Sequence, residues 1–183
     1  MLKRPAVIVV VLLTCSFLTA QHNNAKPSWD GLRFLVGNWV GEGTAETGQL
    51  GAGYCSFELV VQDWQMIRKN HSEYPATKDH PAISHDDLMI IYRDYDTGQL
   101  RAFYTDSEGH VIPYTVTPYK VANSDVNGVV FLGDVEEGKP RFRLTYTLSP
   151  PDHITIAFEM APPGKPEQFQ KIIDGKMRKA DGK

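Results

Sequence analysis

Disulfide bonds do not hold this chain together, because its 183 residues contain only two cysteines, Cys15 and Cys55. Cys15 lies in a leader expected to be removed, so Cys55 has no intramolecular partner, and the fold must rest on packing. Positive charge is not in excess either: 19 Lys and Arg against 22 Asp and Glu argue against a nucleic-acid or anionic-membrane partner. The longest apolar run, Ala6 to Leu13, falls well short of the roughly 20 residues of a membrane-spanning helix. No internal repeat, low-complexity tract or alternation of strand and helix is present, which argues against a parallel α/β sheet. Local catalytic motifs are missing as well. There is no Gly-x-Ser-x-Gly elbow, no His-Glu-x-x-His and no glycine loop ending in Gly-Lys-Ser/Thr.

The first twenty residues have the layout of a secretory signal peptide: Lys3 and Arg4, a short apolar core, then Thr19-Ala20 at the expected cleavage point. Leu12-Leu13-Thr14 before Cys15 lacks the small residues that usually precede a lipidated cysteine. Cleavage would leave 163 residues carrying 17 basic and 22 acidic side chains, a net charge of −5. That length suits one domain. The expected organisation is a signal peptide over 1–20, a flexible stretch over 21–28 and a single domain over 29–180. The product would be exported, periplasmic or secreted, with no integral membrane segment after cleavage, and a monomer or weak dimer.

Almost everything after residue 36 reads as strands. Phe142, Leu144, Tyr146 and Leu148 alternate with polar residues, and Ile154, Ile156, Phe158 and Met160 repeat the pattern after the turn signal Ser149-Pro150-Pro151-Asp152. Turn signals also stand at Asp94 to Gly98, Ser107 to Gly109, Asn127-Gly128 and Glu136 to Pro140. The pattern predicts an all-β antiparallel β-barrel of about eight to ten strands. Trp29, Leu32, Phe34, Leu35 and Val36 fall near helical spacing behind Ser28, which predicts a short N-terminal helix capped by that serine. Pro75 to Asp87 reads as one long exposed loop.

Glycine is concentrated in FLVGNWVGEGTAETG, Phe34 to Gly48. No helix follows it to present an N-terminus to a phosphate, so it reads as a strand that must bend, with Gly37, Gly41 and Gly43 as hinges. The Gly37-Asn38-Trp39 start, the DGLRFLVGNWVGEG opening and the basic last strand resemble calycin barrels. The closest resemblance is to the uncharacterised lipocalin-like DUF1579 family, with nitrobindin-like and fatty-acid-binding-protein-like barrels more distant. This resemblance implies a structural role for Trp39 in closing one barrel end under an arginine, for which Arg178 is the candidate. It also implies a haem possibility, since nitrobindin-like barrels hold haem through a histidine near the start of the last strand. Lys171 stands there in this chain and no histidine follows His153, so no cofactor is expected.

Tyr92, Tyr104, Tyr114 and Tyr146 are placed by strand register on apolar faces. They would line a cavity for a small hydrophobic or amphipathic molecule, or fill an ordinary core. Arg68 has two readings, an inward cation meeting a ligand's carboxylate or a side chain on the wet face. Asp79, His80, His85, Asp86 and Asp87, and separately Asp106, Glu108 and His110, could suggest a metal, but each set reads as an exposed loop or turn and no metal site is expected. Cys55, in an apolar strand, reads as a buried small hydrophobe. No catalytic residue is assigned, and the chain leans away from an enzyme. The favoured function is an exported, non-catalytic barrel binding a small, partly apolar ligand. The alternatives are a ligand-free envelope interaction module and an enzyme with a barrel-mouth site.

Overall fold

The computed structural model describes residues 26–42, 52–79, 81–122, 126–149 and 151–180. The predicted signal peptide, Cys15 and most of the glycine-rich stretch beyond Glu42 lie outside them.

Ten strands follow one another: β1 (Gly37–Glu42), β2 (Ala52–Val60), β3 (Gln65–Tyr74), β4 (Ile83–Arg93), β5 (Leu100–Asp106), β6 (Val111–Lys120), β7 (Asn127–Gly133), β8 (Arg141–Ser149), β9 (His153–Ala161) and β10 (Gln170–Lys179). Each pairs antiparallel with its neighbours in sequence, and β1 also pairs with β10 to close the barrel. Closure removes the unpaired edges that an open sheet would present.

The alternating patterns seen in sequence set the faces. Leu144 and Tyr146 are buried opposite Phe158 and Ile156, as period-two strands with one face inside require. The glycine-rich opening is strand β1. Gly37 begins it at φ 128°, a conformation that side-chain-bearing residues rarely adopt, and there the chain bends into the wall.

One end of the barrel is plugged by the segment before β1. The expected helix is only a single 3₁₀ turn, Arg33–Leu35, and Ser28 does not cap it. Ser28 instead accepts from the backbone amide of Asp30 at 3.4 Å. The apolar spacing was real even though the α-helix was not: Trp29, Leu32, Leu35 and Trp39 are all buried in the core cluster. Trp29 Nε1 donates to the Asp63 carbonyl at 2.9 Å, and Trp39 Nε1 to the Leu35 carbonyl at 2.7 Å. Three or four residues suffice to place these rings, so a longer helix is unnecessary.

Two further expectations change. The loop after β3 is shorter than Pro75 to Asp87, because β4 already begins at Ile83 and pairs His85 with Ser72 and Asp87 with Asn70. Asn127-Gly128 is not a turn but the start of β7. Gly128 lies opposite Tyr119, whose ring would be 2.1 Å from any added Cβ.

Candidate functional site

The interior of the barrel carries an apolar centre and a polar end opposite the tryptophan plug. In the centre, aromatic rings from five strands meet edge to face: Phe57 with Tyr146, Tyr146 with Phe131, Phe131 with Tyr114, and Tyr114 with Tyr104. Centroid separations run from 5.5 to 6.4 Å, the range in which such pairs attract. Met66, Met89, Ile91 and Val129 complete the fully buried lining around them.

Against this layer lies Arg68, only 6% exposed. It faces inward because β3 turns Met66, Arg68 and Asn70 to one side and Lys69 to the other. Its Nη1 donates to Asp87 Oδ1 on β4, while Asn70 Nδ2 donates to Asp87 Oδ2 at 2.9 Å. A carboxylate so deep is disfavoured by burial, which raises the Asp87 pKa, while the Arg68 charge pulls it back. The guanidinium carbon also lies 5.9 Å from the Tyr146 ring centre. Among the described residues, two buried side-chain polar atoms are without a hydrogen-bond partner: Arg68 Nε and the Tyr146 hydroxyl oxygen. Burial raises the phenol pKa of Tyr104, Tyr114 and Tyr146, so all three are neutral.

Toward the mouth, His85 Nδ1 meets Glu108 Oε2 at 2.8 Å and its Nε2 lies 3.4 Å from Asp87 Oδ2. Tyr104 donates to Asp106 Oδ2 at 3.2 Å, and His110 Nδ1 lies 2.9 Å from the same oxygen. Burial opposes a charge on His85, but Glu108, Asp87 and Asp106 outweigh it and raise its pKa. Sequence reasoning treated the histidine loop and the Asp106 turn as unrelated. The β4–β5 register, with Asp87 opposite Asp106, brings them together. His85, Asp106 and Glu108 could each offer a metal one atom, all within 4.8 Å of one another. In the structure the two imidazole nitrogens of His85 meet Glu108 on one side and Tyr104 and Asp87 on the other. His80 lies outside the described residues.

Arg68, Tyr104, Tyr114 and Tyr146 are thus brought together in the packed interior of the barrel, and Tyr92 is not among them. Asp87, Met89 and Ile91 hold the inner face of β4, so Tyr92 points outward. The sequence placed Tyr92 inside because nothing in it marks Asp87 as a buried residue. Arg178 is likewise displaced. Met177 turns inward, 3.7 Å from Cys55 Sγ, which sends Arg178 outward toward Glu42. The cation near the Trp39 ring is Lys179, whose Nζ lies 5.7 Å from the ring centre, and Lys179 is also the cross-strand partner of Trp39.

Lys171, at the position where the resemblance would look for a haem ligand, bonds Asp174 on the exposed surface at 2.6 Å. The last strand therefore offers no axial imidazole, and its nearest substitute points away from the interior. Cys55 is buried, with its thiol pKa pushed up to about 11 by burial, an inert core thiol. A shallow groove of about 420 Å³ lies on the outer wall beside Tyr54, Lys69, His71 and Leu88.

No family model matches this chain, and no curated protein matches it. Its likeness to calycins is therefore one of architecture, a closed antiparallel ten-strand barrel. Among the described residues, no helix is long and apolar enough to cross a membrane.

Proposed function

We propose that this chain is an exported, non-catalytic barrel of the calycin kind that takes a small, partly apolar molecule into its interior. Residues 1–20 would serve as the leader and 29–180 as the barrel, monomeric or weakly dimeric. Arg68, Tyr104, Tyr114 and Tyr146 would contact the ligand. DUF1579-like barrels remain the family that the opening motif favours.

The observation that carries this reading is the pair of buried donors without partners, Arg68 Nε and the Tyr146 hydroxyl. Leaving a buried donor unsatisfied costs about 1–3 kcal/mol, and two together in an otherwise well-packed interior mark a place where an acceptor belongs. Apolar and aromatic walls around them supply the remaining binding energy by desolvation. Fold alone would not justify the claim.

The test is native and denaturing mass spectrometry of the protein recovered from the exported fraction of its own cells. A stoichiometric mass lost on denaturation is expected, and it should be absent from the Arg68→Met/Asp87→Leu double variant, which removes both charges together. An identical bare mass in both spectra of the parent protein would sink the proposal.

A further inference from the structure

The charges around the interior site limit what it can hold, provided that the interior-binding reading is right. Arg68 and Asp87 are 6% and 9% exposed and form an ion pair, so their charges cancel. Asp87 spends its second oxygen on Asn70 and faces His85 as well. The two unpartnered groups, Arg68 Nε and the Tyr146 hydroxyl, are both able to donate. Cys55, which also lies close enough to act on Arg68, stays a neutral thiol because burial raises its pKa.

A ligand carboxylate here would add an anion beside Asp87, whose charge Arg68 already balances, while the neighbouring His85 is engaged by Glu108 and faces Asp106 as well. A buried charge without its own partner is strongly disfavoured. An uncharged oxygen has no such penalty, because it accepts the free hydrogen bonds and leaves the ion pair intact. We propose that the barrel's ligand is an uncharged, mainly apolar molecule bearing a carbonyl-type acceptor, held by Arg68 Nε and the Tyr146 hydroxyl. The expected inward arginine is thereby kept, but not as the receptor of a carboxylate: Asp87 already fills that role from within the chain.

Equilibrium dialysis of the full-length exported protein against octan-2-one, octanoate and octane at neutral pH tests this. The ketone should bind about tenfold more tightly than either of the others, the size of one to two net hydrogen bonds. Tyr146→Phe should bring the ketone to within a fewfold of octane and leave octane unchanged. Octanoate binding most tightly would overturn the assignment, and so would a ketone affinity that survives Tyr146→Phe. If none of the three binds, octane included, the interior-binding reading itself fails and this one falls with it.

Discussion

Arg68 and Asp87 show how much one residue's setting decides. Each alone would be a buried charge, and together they are neutral. Asp87→Ala should therefore destabilise the fold by about 3–5 kcal/mol, because it strands a guanidinium in the interior. Arg68→Met with Asp87→Leu should recover most of that loss, since two apolar side chains replace the pair. Urea unfolding midpoints read the difference, and equal losses in the single and double variants would show that charge balance is not what matters at this site. No local pattern announces this pairing. Asp87 stands in a polar run, His85-Asp86-Asp87, and looks like surface until β3 sets Arg68 and Asn70 across from it.

At the level of elements, the β2–β3 connection is where strain gathers. Val61, Gln62 and Asp63 all have positive φ, at 51°, 56° and 65°. A left-handed backbone costs ordinary residues roughly 1–2 kcal/mol each, and a β-branched valine suits it least. The hydrogen bond from Trp29 to the Asp63 carbonyl fastens this turn to the tryptophan plug. Val61 is 62% exposed, so Val61→Asn, which tolerates the conformation, should raise stability by about 1 kcal/mol in thermal unfolding. A lower melting temperature would mean that Val61 holds the turn by contacts instead. Strand existence was legible from alternation in β8 and β9, where one face is wholly apolar. Phase was not legible in β4 or β10. There the inward face is set by Asp87 and Met177, whose partners lie on other strands. The helix expectation failed for a related reason, since spacing reveals which side chains are buried and not the backbone path that buries them.

For the molecule as a whole, charge couples the fold to pH. His85 and His71 have raised pKa values, His85 chiefly because its carboxylate neighbours overcome burial and His71 through its bonds to Asp86 and Glu73. Their contribution is complete below the ordinary histidine value of 6.5 and fades as pH rises through the raised values. Glu159, bonded to Arg143, and Asp106, whose hydrogen bonds outweigh burial, have lowered values, so their contribution is lost as pH falls below the usual carboxylate range. Asp87, raised by burial, opposes them on the acid side. Melting temperature should rise as pH falls from about 8 to about 6, and His85→Gln should flatten that slope. An unchanged slope would place the titration elsewhere. The barrel seam has a consequence in time as well. Trp39 and Lys179 stand opposite each other although they belong to the first and last strands of the barrel, and such distant pairing forms slowly. Synthesis must reach β10 before β1 can close on it, so the emerging barrel stays open until its last strand exists.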